Sequence, residues 1–175
     1  MQKHFLGAKI LFFVTFVPKK IKMFQKFLSY FLPITILKQK SVLNKSIEVT
    51  WNNGKLVLDT ENTNYSYGSL QRILKKGLDQ IGQQTISNCE TILVLGVAGG
   101  SVIKTLVTDF KYTNKIIGVD LDAEIIEIAN RYFELNKIKN LEIIIDDAQN
   151  FVSKTTENFD LILIDIFQDN FMPSF

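Results

Sequence analysis

Between Met23 and Pro33 the apolar residues Phe24, Phe27, Leu28 and Phe31 recur at helical spacing, with Gln25, Lys26 and Ser29 between them. The spacing predicts a short amphipathic helix that Pro33 stops. Residues 46–51 and 55–59 then alternate loosely in strand fashion on either side of Asn52-Asn53-Gly54, a turn sequence that accepts positive φ, and a β-hairpin is expected. Beyond the polar stretch 60–64, Leu70, Ile73, Leu74 and Leu78 carry a helical period across residues 65–81, weakened by Gly77.

The pattern then changes character. An apolar run at 91–95 leads into Gly96-Val-Ala-Gly-Gly-Ser101 and a helical stretch through Asp109. A second strand at 115–120 ends in an acid, and Asp122 is suited to cap a helix with Ile125, Ile128, Ala129 and Tyr132 on one face. A third strand at 141–145 precedes Asp146-Asp147-Ala148 and a short helix at 149–154, and a fourth strand at 159–164 ends at Asp165. Near-continuous Ile, Leu and Val strands separated by helices predict an α/β protein whose parallel sheet is covered on both faces, a doubly wound Rossmann-like fold. The carboxyl ends of such strands line a ligand crevice, so the glycine turn and the acids that follow the strands converge on one site.

Charge divides the chain. Residues 1–45 hold nine lysines and no acid, whereas residues 46–175 hold eleven Lys/Arg against eighteen Asp/Glu. The acidic main part argues against a nucleic-acid partner, which needs a basic footprint. Residues 10–17 are apolar but too few to span a bilayer, and no small-residue cleavage site follows them, so a cytoplasmic protein is expected. Because Met23 would serve equally well as a start, residues 1–22 are read as an N-terminal extension, 23–45 as a basic amphipathic helix and linker, 46–64 as the hairpin and 65–175 as the α/β domain. The helix is expected to cap the core or a partner subunit, with a homodimer in view. Contact with a membrane surface, favoured by lysines and aromatics, is the secondary reading. One cysteine, Cys89, and one histidine, His4, give no disulfide or His-Cys metal cluster, and no metal is expected.

Gly96, Gly99 and Gly100 let the backbone turn sharply, so that a ligand can approach main-chain N–H groups and a helix N-terminus. Asp120, twenty-four residues after Gly96 and followed by Leu121, lies near the spacing at which a carboxylate accepts the two hydroxyls of an adenosine ribose. Ala98 takes the second glycine position of the dinucleotide pattern, which weakens the case for NAD, and no Gly-Lys-Ser/Thr pair is present for a triphosphate. Asp147, beside Ala148, is placed to accept from an adenine amino group, while Asp146 is expected to face solvent or cap the next helix. Asp165 follows the fourth strand, where a carboxylate could orient or deprotonate an amine; Asp169 is a weaker candidate in a polar turn. Tyr65 and Tyr67 could reach over the crevice or pack the hairpin onto the sheet.

Taken together, Tyr67, Gly96 to Gly100, Asp120, Asp147-Ala148 and Asp165 resemble the spermidine and spermine synthase family within the class I S-adenosylmethionine-dependent methyltransferase fold, over roughly residues 46–169. The resemblance implies a donor, S-adenosylmethionine or its decarboxylated form, bound by Gly96, Ala98, Gly99, Gly100, Asp120, Leu121, Asp147 and Ala148. It implies transfer of an aminopropyl group to an amine, with Asp165 and Tyr67 as the catalytic pair. The chain departs from that family at three places. Gly99 stands where an aspartate normally helps select the aminopropyl donor, Gly68-Ser69 replace a His-Glu pair after the tyrosine, and Asp165-Ile-Phe-Gln-Asp169 lacks the family's proline. Methyl transfer to another acceptor, and a non-catalytic ligand- or partner-binding role, therefore stand as alternatives. The chain ends ten residues after Asp165, before the further strands such a fold uses, so a C-terminally truncated sheet with an open edge is expected.

Overall fold

The computed structural model describes residues 19–41, 43–60 and 64–166. Residues 1–18, the polar stretch 61–63 and Asp169 lie outside the described residues. The chain runs α1 (Lys19–Leu28), β1 (Ile34–Gln39), β2 (Ile47–Asn52), β3 (Lys55–Thr60) and β4 (Asn64–Ser66), then α2 (Gly68–Ile81) and α3 (Gln83–Asn88). It continues β5 (Thr91–Leu95), α4 (Ser101–Thr108), β6 (Lys115–Asp120), α5 (Ala123–Phe133), a 3-10 turn (Leu135–Lys137), β7 (Leu141–Ile145), α6 (Ala148–Lys154) and β8 (Leu161–Ile164).

The expected hairpin is β2–β3, in register from Ile47 opposite Thr60 to Asn52 opposite Lys55. It sits inside a four-stranded antiparallel sheet of order β1-β2-β3-β4. Two of those strands differ from the expectation. Residues 34–39, anticipated as linker, pair with β2 as β1, and residues 64–66, anticipated as the last of the polar stretch and the start of a helix, pair with β3 as β4. Both are short, and strand preference of this kind comes from a neighbouring strand rather than from the segment alone. The first helix also begins and ends earlier than its apolar spacing predicts. Ser29 follows its last turn, and there its carbonyl accepts from Asn53 N and its Oγ from Gly54 N, both at 3.0 Å, tying the end of α1 to the hairpin turn.

The second sheet is wholly parallel, of order β7-β6-β5-β8. Alternate residues of its central strands feed opposite faces, as the two-residue period of a strand requires. Ile92, Val94 and Ile116 pack with Leu78 of α2, Val102, Ile103 and Leu106 of α4, and Ile126 and Ala129 of α5. Leu93, Leu95, Ile117 and Val119 pack on the other side with Phe151 of α6, Phe159 and Ile166. The antiparallel sheet is fastened to this body by a separate cluster in which Ile47, Val49 and Leu58 meet Ile125, Ile128 and Phe133 of α5. Asp122 reinforces the join. It caps α5 through Ile125 N and accepts from Ser41 Oγ and Asn44 Nδ2, so the turn after β6 is pinned to the N-terminal segment.

Strand β8 lies at an edge among the described residues, and Ile162 and Ile164 are exposed on it. The order of strands sets the position of the site. From β5 the chain moves outward through β6 to β7, then returns across the sheet to place β8 on the other side of β5. A crevice opens at such a reversal of winding, above the carboxyl ends of β5 and β8.

Candidate functional site

Three main-chain hydrogen bonds extend the parallel ladder beyond the strands and gather the four loops. Gly96 N donates to Val119 O (2.9 Å), Asp146 N to Asp120 O (3.1 Å) and Asp165 N to Leu95 O (2.8 Å). The glycine turn, Asp120, Asp146 and Asp165 are thereby held side by side.

Gly96 sits at φ +85°, and a Cβ there would lie 2.1 Å from the carbonyl oxygen of Asp165. Both the backbone conformation and the close approach demand glycine. Because Asp165 is itself hydrogen-bonded to β5, the clash cannot be relieved by a side-chain movement. Gly96→Ala is expected to destabilise the fold by about 2–5 kcal/mol, from left-handed strain plus overpacking. Denaturant unfolding checks this, and a loss under about 0.5 kcal/mol, the range of an ordinary surface change, would contradict the close approach.

Gly99 has a different neighbour. A Cβ there would meet Ser66 Cβ at 2.8 Å, Ser66 Oγ at 2.9 Å and the Tyr67 ring at 3.1 Å. The end of β4 therefore fills the space that a side chain at position 99 would occupy. Tyr67 holds this contact: its hydroxyl donates to Gly99 O at 2.9 Å and its ring stacks on Phe133, centroids 4.6 Å apart. Its φ of 73° is unusual for a residue with a side chain, and such strain gathers where the surrounding structure forces it. Burial pushes the Tyr67 phenol well above its ordinary range, so it stays neutral with its proton directed at the loop.

Asp120 is 8% exposed, and its carboxylate is taken up by backbone N–H groups. Oδ2 accepts from Val97 N (2.9 Å) and Ala98 N (2.8 Å), and Oδ1 from Asp122 N (2.9 Å). Burial raises its pKa, and the three N–H donors oppose that rise. The acid thus shapes the glycine turn as well as lining the crevice. Oδ1 keeps a lone pair for one further donor. Leu121 beside it is exposed. At the far end of the same turn Ser101 and Val102 begin α4, and the first N–H groups of a helix have no acceptor within it.

Asp147, rather than Asp146, is the helix cap. Its Oδ1 accepts from Asn150 N at 3.0 Å, and Asp146 Oδ1 accepts from Asp147 N at 2.8 Å. Of the two readings of Asp146, facing solvent or capping the next helix, the cap falls to its neighbour: α6 begins at Ala148, so the residue immediately before it fills the cap position. Asp147 Oδ2 accepts no hydrogen bond among the described residues, and Ala148 packs beneath the sheet with Leu95 and Val119.

Asp165 differs from the other acids. Its carboxylate is half-buried and accepts no hydrogen bond among the described residues, and burial alone raises its pKa. It stands at the reversal of winding, against Gly96. Two further residues at the site carried no signal in the sequence. The Ser66 hydroxyl is buried beside Gly99 with no hydrogen-bond partner among the described residues. Lys104, whose pKa is lowered chiefly by desolvation, holds Nζ 5.8 Å from the Tyr67 ring centre. Serine in Asn-Tyr-Ser-Tyr and lysine in a short helix are ordinary surface choices, and only packing brings them to the loop. Among the described residues no group of three or more His, Cys, Asp or Glu could hold a metal ion.

Comparison with known proteins bears on the same segments. The spermine/spermidine synthase domain matches residues 71–174. A polyamine aminopropyltransferase of Buchnera aphidicola is 32% identical over 81 residues, 43% of this chain and 28% of that protein. An eEF1A lysine and N-terminal methyltransferase homolog of Drosophila melanogaster is 32% identical over 78 residues, 43% of this chain and 11% of that protein. These matches span less than a third of each relative's length. The structure of spermidine synthase from Thermotoga maritima superposes with a TM-score of 0.58 at 20% identity, covering 81% of this chain and 48% of that one, which is a likeness of fold. The α/β body is that of the class I S-adenosylmethionine-dependent methyltransferase and aminopropyltransferase superfamily, and within it the chain belongs to the spermine/spermidine synthase family.

Proposed function

We propose that this chain binds S-adenosylmethionine or its decarboxylated form at the glycine turn and transfers an aminopropyl group to an amine. The observation that carries the reading is Asp165, a half-buried carboxylate with no hydrogen bond among the described residues, set against Gly96 at the reversal of winding. A structural carboxylate is ordinarily paired when buried, as Asp120 and Asp122 are here. An unpaired one whose burial favours the protonated form suits the role of proton acceptor.

The chemistry asks little of the protein beyond placement. The amine lone pair attacks the carbon bonded to the positive sulfur, the carbon–sulfur bond breaks with its electron pair going to sulfur, and a neutral thioether nucleoside departs. The proton lost by the attacking nitrogen passes to Asp165. Sulfonium activation supplies the leaving group, so orientation and one proton acceptor account for the catalytic demand. In this scheme Asp120 Oδ1 receives a ribose hydroxyl, Asp147 Oδ2 the adenine amino group, and the Gly96–Gly100 backbone with Ala98, Leu121 and Ala148 frames the nucleoside. Tyr67 positions the loop through Gly99 and offers its remaining lone pair to the amine. The donor and an amine acceptor are the partners this implies, acting in the cytoplasm.

Methyl transfer has one observation in its favour. The seat for a side chain at position 99 is filled by Ser66 and Tyr67, so no acid can stand where the resembled family uses one to select the aminopropyl donor. The test is turnover with each donor and a diamine, followed by mass spectrometry of both products. Aminopropyl transfer is expected to yield a lengthened diamine and the thioether nucleoside from the decarboxylated donor only. A methylated acceptor with S-adenosylhomocysteine would replace the first reading with the second, and donor binding without either product would leave a binding protein.

A further inference from the structure

Lys104 stands in the first turn of α4, the helix that grows directly out of the glycine turn. Its main-chain N donates to Gly100 O at 2.9 Å, and its side chain carries Nζ over the ring of Tyr67, 5.8 Å from the centre. The same ring stacks on Phe133, and its hydroxyl donates to Gly99 O at 2.9 Å. The ammonium has no other partner. Glu134 and Lys137 are the charged groups that act on it, but the Glu134 carboxylate is taken by Lys137 Nζ at 2.7 Å. Lys104 makes no hydrogen bond or ion pair among the described residues. A half-buried ammonium without an acceptor is a cost that an apolar side chain of similar length would not carry. Fold stability therefore gives no reason for a lysine at this position.

What the cation does hold is the tyrosine. A positive charge over a ring is attracted to its negative face, more strongly where water is partly excluded. Tyr67 needs that hold, because at φ 73° its backbone is strained, and relaxation would carry the hydroxyl away from Gly99. We infer that Lys104 is a positioning residue for the donor: through the Tyr67 ring it keeps the hydroxyl on Gly99 O, and with it the N–H groups of the glycine turn in the arrangement that the donor meets. The inference rests on the reading of this turn as the donor site. Lys104 itself touches neither donor nor acceptor.

The test is donor titration by calorimetry, without acceptor, joined to amide exchange of the ligand-free chain. Lys104→Met is expected to weaken donor binding about fivefold, the worth of one partly desolvated cation over a ring, while Lys104→Arg stays within about twofold of the parent. The thermal unfolding midpoint of Lys104→Met is expected to hold, since the substitution also removes the desolvated charge. In a Tyr67→Phe background, which keeps the ring and its stacking but not the bond to Gly99, Lys104→Met is expected to add no further loss. A full fivefold loss in that background would overturn the inference, because Lys104 would then act on the ligand directly. Exchange at residues 96–101 is expected to quicken in Lys104→Met and not in Lys104→Arg, with the β2–β3 hairpin unchanged. Unchanged exchange at 96–101 would overturn the inference, and a uniform rise across the chain would make Lys104 a structural residue. A parent that binds neither donor would overturn the reading of the site instead, and the exchange, which needs no ligand, would still decide whether Lys104 holds the turn.

Discussion

Asp165→Asn is expected to lower turnover by about 10²–10⁴-fold, the contribution of a positioned proton acceptor, while leaving donor affinity within about twofold. Asparagine keeps the size and the backbone bond from Asp165 N to Leu95 O but cannot take a proton. Stability should move the other way. Burial raises the Asp165 pKa in the folded chain above its unfolded value. The contribution of such a group to stability is present in full below the unfolded pKa and is lost as pH rises through the folded one. At neutral pH the ionised side chain is therefore a net destabilisation that asparagine removes. The variant is expected to be at least as stable as the parent at pH 7, with the parent gaining on it as pH falls. In the parent, the acid limb of the rate profile should lie above the ordinary carboxylate range, because the base acts only when ionised. Loss of turnover accompanied by loss of stability at pH 7 would make Asp165 a structural residue.

Asp120→Ala is expected to combine a large loss of stability with loss of donor binding. The substitution strips the acceptor from Val97 N, Ala98 N and Asp122 N, and Val97 and Asp122 are each 2% exposed. An unsatisfied buried donor costs about 1–3 kcal/mol. With two such donors the total is at least about 2 kcal/mol, or a fall of about 4–8 °C in Tm for a chain of this size. Donor binding would then fail for two reasons at once, and Asp120→Asn separates them. Its carbonyl oxygen still accepts from the glycine turn, so most of the stability should return, while a neutral amide in place of the carboxylate weakens the hold on the ribose hydroxyl. Full donor affinity in the Asn variant would remove Asp120 from the ribose role and leave it as the organiser of the turn.

The parallel sheet was legible in the sequence because each of its strands is a short apolar run bounded by a turn or an acid. Residues 115–120 and 141–145 fall where that pattern puts them, and Asp122 caps α5 as its position before Ala123 implies. The antiparallel sheet was only half legible. Its hairpin carries a local Asn-Gly signal, but β1 and β4 exist because β2 and β3 offer them edges. The candidate site divides in the same way. Acids at strand ends are visible as residue types at a spacing, yet what each acid does is decided by packing. Asp120 turns inward to the glycine backbone, Asp147 caps α6, and Asp165 keeps its oxygens without a partner among the described residues. Gly99 illustrates the limit most clearly. In the sequence it is a missing side chain, whereas in the fold its space is already filled by Ser66 and Tyr67.

The central claim is that the crevice above β5 and β8 holds an adenosylated sulfonium donor. Titration calorimetry of the full chain with S-adenosylmethionine and, separately, with its decarboxylated form tests it most directly. Saturable binding of at least one donor at one site per chain, weakened in Asp120→Asn and preserved in Asp165→Asn, is the predicted result. A folded chain that binds neither donor at millimolar concentration would contradict it.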